Sequence, residues 1–190
     1  MPVPCKSVVV LGDSISAGYP LPISQMYMSL LQNGITQYNT TFYQYSIGGL
    51  TTDLGLLTAT KIYEYGINPN LVILAMGIND VVKQVPAAQI AQNLEQIAMI
   101  CMGHGTPVIL GNIDLTAWAD LTPTGYPAAF NLALQQVINT YGFMTFDFLD
   151  WKTLASNGPY CIDRIHPNAA GHAAIATELN PKVISVLNIN

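Results

Sequence analysis

Residues 6–14 read KSVVVLGDS, and within them Ser7–Leu11 is an almost wholly apolar run that stops at Gly12. Such a run, bounded by a glycine, suits a strand buried on both faces, the kind found in parallel sheets covered by helices. The pattern recurs down the chain. Leu71–Met76 is closed by Gly77 and Pro107–Leu110 by Gly111, while the aromatic-rich Thr41–Ser46 stops at Gly48-Gly49 and Phe143–Phe148 supplies a fifth strand.

Helical periodicity fills the intervals. Leu54, Leu57, Ile62 and Tyr65 form one stripe behind the cap candidates Thr51 and Thr52; Ile90, Leu94, Ile97, Ala98 and Cys101 form a second, before Gly103. Phe130, Leu134, Val137, Ile138 and Tyr141 form a third, ending at Gly142. Asn168 caps a last helix toward Leu187, which Pro181 should kink or divide. Strands alternating with helices predict an α/β fold, a parallel sheet with helices on both faces. Right-handed crossovers place all strand C-terminal ends at one edge, where ligands bind. The polar turns Gly12-Asp13-Ser14, Gly48-Gly49 and Gly77-Ile78-Asn79-Asp80 should therefore converge.

Composition narrows the function classes. The chain has 190 residues, the size of one domain over residues 1–190, with 51% apolar and 9% charged residues. Six Lys and Arg against eleven Asp and Glu cannot make the basic stripe that nucleic acids or anionic membranes require. Mean hydropathy is +0.35, yet no apolar run approaches the ~18 residues needed to span a bilayer. The opening residues lack the charged and apolar regions of a signal peptide. The few lysines and many Asn, Gln and Thr lean toward a periplasmic or secreted protein whose signal peptide is absent from this chain. Three cysteines, Cys5, Cys101 and Cys161, are too few for a disulfide scaffold.

Chemistry concentrates in the turns. Ser14, on a tight turn after a buried strand, has its hydroxyl exposed beside converging backbone N–H groups, and needs only a base to become a nucleophile. Three histidines compete for that role. His104 lies in a Gly-flanked turn at the wrong sheet edge, and His172 lies within the last helix. His166 precedes that helix in Asp163-Arg164-Ile165-His166-Pro167, and Asp163 can hold its Nδ1–H so that Nε2 faces the serine. An oxyanion would find donors in the Asn79 side chain and in the Gly49 and Ser14 backbone N–H groups. Each group alone is ordinary turn chemistry; together they assemble a nucleophile, an oriented base and an anion pocket. Asp13 and Asp80 read as carboxylates that hold their turns.

GDSIS, the glycine of SIGG, GIND and DRIHP stand in the order of the four motif blocks of the SGNH, or GDSL, hydrolase superfamily. The similarity runs from VVVLGDSISAGY to HPNAAGHAAIA and is nearest to the small bacterial esterase and thioesterase–lysophospholipase branch. The resemblance implies a flavodoxin-like, three-layer α/β/α sandwich with a five-stranded parallel sheet. It also implies Ser14 as nucleophile, His166 as base, Asp163 as its orienting acid, and Gly49, Asn79 and the Ser14 amide as oxyanion donors. The second block departs from the usual pattern in reading Gly48-Gly49. Its spacing to Thr51-Thr52 places the donor at Gly49.

The surroundings expected at the serine are apolar: Val81, Val82 and Val85 after Asn79, and Ile113, Leu115, Trp118, Leu121 and Tyr126 in the stretch 112–126. Of these, Val81, Val82, Ile113, Trp118 and Tyr126 are the substrate-contact candidates. They suit an acyl chain or aromatic ester, and only Lys83 and Arg164 offer positive charge nearby. The expected activity is ester hydrolysis through an acyl-enzyme on a small-molecule acyl ester, by a monomer. Carbohydrate acetyl-ester hydrolysis and acyl transfer to an alcohol are the alternatives on the same site, and a non-catalytic binding module is the alternative of another class. Cys161, Asp163, His166 and His172 match no zinc spacing, and no phosphate-cradling loop occurs, so no metal or cofactor is expected.

Overall fold

The computed structural model describes residues 5–115, 122–150, 160–163 and 165–188. Five strands form one parallel sheet in the order β2-β1-β3-β4-β5. They are β1 (Lys6–Gly12), β2 (Thr40–Ser46), β3 (Leu71–Ala75), β4 (Val108–Asp114) and β5 (Met144–Asp150). The helices are α1 (Tyr27–Gly34), α2 (Thr52–Glu64), the single-turn α3 (Ile78–Val82), α4 (Ala87–Gly103), α5 (Tyr126–Tyr141) and α6 (Ala169–Leu187).

The chain crosses from β1 leftward to β2, then rightward over β1 to β3. With right-handed crossovers this puts α1 on one face and α2, α4 and α5 on the other. The helix contacts agree: α4 packs on both α2 and α5, and α6 packs on α1. The turns leaving β1 and β3 therefore diverge, opening a crevice between the C-terminal ends of these strands where this strand order places ligands. Val8 to Leu11 and Leu71 to Ala75 are wholly buried, as expected for the two central strands.

Gly12 ends β1 where space runs out. A Cβ there would lie 2.3 Å from Ser16 Oγ and 2.7 Å from the Ala75 carbonyl oxygen, so the turn 13–16 folds directly onto the ends of β1 and β3. Gly171 has the same office in α6, where a Cβ would stand 2.4 Å from the Tyr160 carbonyl. The Asn168 side chain accepts the Gly171 N–H at 3.0 Å, capping α6 as the sequence predicts.

Three elements differ from the sequence reading. Strand β4 does not stop before Gly111 but continues to Asp114, because β5 pairs with it from Ile109 through Asp114, across an irregularity at Asn112/Ile113. Pro181 does not divide α6: Ile175, Leu179, Val183 and Leu187 are buried at a spacing of four through the proline, so packing outweighs the lost hydrogen bond. The α2 stripe is overturned except at Ile62. Leu57 is 56% and Tyr65 79% exposed, with Leu54 also outside, while Thr52, Gly55, Ala59, Ile62 and Tyr63 face inward. Small residues win this face because the helix lies close to the sheet; a Cβ on Gly55 would meet the Met76 sulfur at 2.4 Å.

Gly12→Ala should thus destabilise the protein by about 1–3 kcal/mol through overpacking. Gly103→Ala, whose Cβ meets nothing within 4 Å, should instead gain about 0.4–1 kcal/mol from the unfolded chain's reduced entropy. Thermal unfolding of the two variants checks the pair; equal midpoints would contradict the close approach at Gly12.

Candidate active site

The turn after β1 is pinned on both sides of Ser14. Asp13 Oδ1 accepts the Ile15 N–H at 3.0 Å, and the Asp13, Ser14 and Ile15 carbonyls accept from Ala17, Tyr19 and Gly18. Ser16 is fully buried, its hydroxyl accepting from Tyr27 Oη at 2.8 Å and its carbonyl from Gln44 Nε2 at 3.2 Å. Within residues 13–16, Ser14 alone keeps a part-exposed side chain. Asp13 is buried with Oδ2 unpartnered, and desolvation pushes its carboxyl up to about 7.

The opposite wall is the loop entering α6. Cys161 and Pro167 form an antiparallel bridge, and Ile162 N donates to the His166 carbonyl at 2.9 Å. Inside this loop Asp163 Oδ1 accepts the backbone N–H groups of Ile165 and His166 at 2.7 and 2.6 Å, while Oδ2 stands 2.8 Å from His166 Nδ1. Burial raises the Asp163 carboxyl, but the hydrogen bonds from the His166 ring and the two amides outweigh it and hold the group below the usual carboxylate range. With Nδ1–H donated to the carboxylate, Nε2 presents its lone pair to Ser14 Oγ at 3.0 Å.

The third side holds Gly48, Gly49 and Asn79. A Cβ on Gly48 would stand 3.9 Å from Ser14 Cβ, so this loop passes beside the serine; Gly49 has φ +79°, a conformation that favours glycine. Asn79, in the first turn of α3, donates one Nδ2–H to the Leu50 carbonyl at 3.1 Å, which leaves its second N–H. Asp80 holds more than its own loop: its oxygens accept Thr52 N at 2.9 and 3.1 Å and Thr52 Oγ1 at 2.7 Å. It thereby caps α2 from α3, where the sequence points to Thr51 and Thr52 themselves. The Asp80 carboxyl is raised by burial against the opposing Thr52 bonds.

The substrate-contact candidates fare differently. Val81 and Ile113 are each 1% exposed members of the hydrophobic core, drawn in by the packing of α3 and β4, and offer no surface to a ligand. Val82 is exposed; Tyr126 is half-buried, donates its hydroxyl to the Val85 carbonyl, and has its phenol pushed by burial up to about 12. Trp118, like Leu121 and Arg164, lies outside the described residues. A cavity of about 460 Å³ at the serine is lined instead by Ala17, Gly18, Tyr19, Pro20, Leu21 and Gly48. Its wall is the apolar run Tyr19-Pro20-Leu21 just after the Ser14 turn, a signal already present in the sequence. A more polar hollow of about 340 Å³ lies over the junction of α2 and α3, with Asp53, Lys83 and Gln89 on its walls.

His104 caps α4 and stacks on Tyr63, and His172 is buried, its Nδ1 accepting the Tyr27 N–H at 3.2 Å. The sequence profile of the GDSL-like lipase/acylhydrolase family matches residues 10–174. The chain belongs to that family. Among curated relatives, an arylesterase of Vibrio mimicus is 32% identical over 110 residues, covering 57% of this chain and 54% of the relative. A thioesterase 1/protease 1/lysophospholipase L1 of Escherichia coli K12 is 28% identical over 131 residues, 69% of this chain and 59% of that one. The matched stretches thus span little more than half of these relatives. The crystal structure of TesA superposes with a TM-score of 0.83 at 26% identity, covering 95% of this chain and 99% of that one. The GDSL-like fold is thereby a five-stranded parallel α/β sandwich of the SGNH type. No helix among the described residues is long and apolar enough to cross a membrane.

Two buried groups behind the site give stability opposing pH slopes. Burial, assisted by the charge of His166, lowers the His172 imidazole from 6.5 to about 4. Between those values the unfolded chain binds a proton the native state refuses, so this group withdraws about 3 kcal/mol as pH falls through that window. Asp13 acts oppositely: from 3.8 to about 7 the native state holds a proton the unfolded chain has released, so stability is lost as pH rises. Asp80 adds to the Asp13 slope. His172→Gln should therefore shift the balance toward loss on raising pH from 4 to 7, and Asp13→Asn should steepen the loss on acidification. Melting temperatures across that range check both directions.

Proposed function

We propose that the protein is a serine esterase that hydrolyses carboxylic esters of small molecules through an acyl-enzyme on Ser14. The observation that carries this reading is the pair of contacts Ser14 Oγ–His166 Nε2, 3.0 Å, and His166 Nδ1–Asp163 Oδ2, 2.8 Å, at the crevice between β1 and β3. Ser14 Oγ attacks the ester carbonyl carbon as its proton passes to His166 Nε2, and Asp163 stabilises the imidazolium so formed. The spare Asn79 N–H and the Gly49 and Ser14 backbone N–H groups receive the oxyanion. Collapse breaks the bond to the alkoxide oxygen, which takes the proton from His166 and leaves as an alcohol. Water then gives a proton to His166 and its oxygen attacks the acyl carbon. Ser14 Oγ departs with that proton, releasing the acid.

Among the described residues, the lining of the serine cavity carries no charged side chain, which suits an uncharged acyl or aryl group. The relatives named arylesterase and thioesterase/lysophospholipase support acyl-ester chemistry. The odds against a binding module rest on the oriented base: a protein that only binds has no use for a carboxylate held by three hydrogen bonds against an imidazole that faces a serine.

Ser14→Ala and His166→Ala should each lower kcat by about 10⁴–10⁶, and Asp163→Asn by about 10⁴. Asn79→Ala, losing one of three donors, should lose about 10²–10³. A p-nitrophenyl ester series from acetate to palmitate, run on these variants, provides the measurement and ranks the acyl lengths. Ser14→Ala at the wild-type rate would refute the mechanism.

A further inference from the structure

We propose that Tyr19 positions His166 and selects the leaving group, its ring offering a stacking surface to esters of aromatic alcohols. The inference rests on the esterase reading above and adds to it a residue and a substrate class.

Tyr19 is tied to both halves of the reacting pair. Its backbone N–H donates to the carbonyl of Ser14 at 3.0 Å, within a turn also closed by Ala17 to Asp13 and Gly18 to Ile15. Its Cα is therefore fixed relative to the nucleophile. Its ring meets the His166 imidazole at a centroid distance of 5.2 Å and an interplanar angle of 68°. This is the edge-to-face arrangement that aromatic pairs prefer, and it restrains rotation of the imidazole about its side-chain bonds. The carboxylate of Asp163 fixes Nδ1, and Tyr19 supports the ring from beside it.

The remaining surface of Tyr19 is open. The residue is 61% exposed and lines the 460 Å³ cavity, and Pro20 and Leu21 extend the same wall. Which half of an ester lies there follows from the proton's route. His166 Nε2 takes the Ser14 proton and must deliver it to the alkoxide oxygen, so the leaving group emerges on the side of the imidazole. Tyr19 borders the imidazole and hence the alcohol portion, not the acyl chain. A flat, uncharged ring in that position gains an aromatic partner that an aliphatic group of equal bulk does not.

The test compares benzyl acetate with cyclohexylmethyl acetate. Both pass through the same acetyl-enzyme and release primary alcohols of similar size, so their kcat/KM values report acylation with only aromaticity changed. Wild type should prefer the benzyl ester by about 3- to 10-fold. Tyr19→Leu should abolish that preference and lower kcat for both esters by a common factor, with KM for the cyclohexylmethyl ester little changed. Tyr19→Phe, which keeps the ring, should recover the preference and most of the rate. A wild type that hydrolyses both esters without preference, or a Tyr19→Leu variant that retains it, overturns the selection role. A Tyr19→Phe variant as impaired as Tyr19→Leu overturns the ring-based account. Failure of the wild type on both esters, with no labelling of Ser14 by a fluorophosphonate, instead removes the esterase reading and this inference with it.

Discussion

A hydroxyl and an imidazole 152 positions apart in sequence must be held within hydrogen-bond reach, and the architecture around the crevice is organised to do so. Tyr27 links the two segments from beneath. Its backbone N–H donates to His172, one turn into the helix that carries the His166 loop, its ring stacks on the same imidazole, and its hydroxyl donates to Ser16, two residues past Ser14. All three side chains are buried. Each hydrogen bond contributes only on the order of 1 kcal/mol net, but breaking one leaves a buried polar group unsatisfied, which costs more. The alignment of Ser14 with His166 thus rests on groups that touch neither reactants nor solvent.

A similar division holds on the other side of the crevice. Asp80 fastens the start of α2 to α3, and Asn93 from α4 donates to the same Thr52 hydroxyl at 2.9 Å. Gly49 and Leu50 lie immediately before that helix start, and Asn79 immediately before Asp80. The candidate anion donors are therefore mounted on a junction whose own polar groups are satisfied. Preorganised donors of this kind need no rearrangement when negative charge develops.

Much of this was readable from residue order. Apolar runs ending in glycine located the strands because the central ones are buried on both faces, and the turn residues Ser14, Asn79, Asp163 and His166 lie at the edge that a parallel sheet assigns to ligands. What escaped has a physical basis. Periodicity counts bulk, whereas α2 meets the sheet through Gly55 and Ala59, so its large residues point away. A cap supplied by Asp80 across 28 residues leaves no local trace. Val81 follows Asn79 and Ile113 follows Gly111 at the sheet edge expected to face the serine, but both turn into the core, while the wall of the serine cavity comes from Tyr19-Pro20-Leu21. Apolar character alone does not distinguish a residue that faces a ligand from one that faces the sheet.

The inverted face of α2 also has a practical side. The helix starts at the crevice with Thr52 and descends about 20 Å to the far edge of the sheet, where Tyr65 stands almost free of neighbours. Leu54 and Leu57 along its outer surface likewise have no part in the sheet packing of Gly55 and Ala59. An anchoring group attached at Tyr65 would hold the molecule to a solid support by the end remote from the crevice, leaving the mouth of the cavity turned toward bulk solvent.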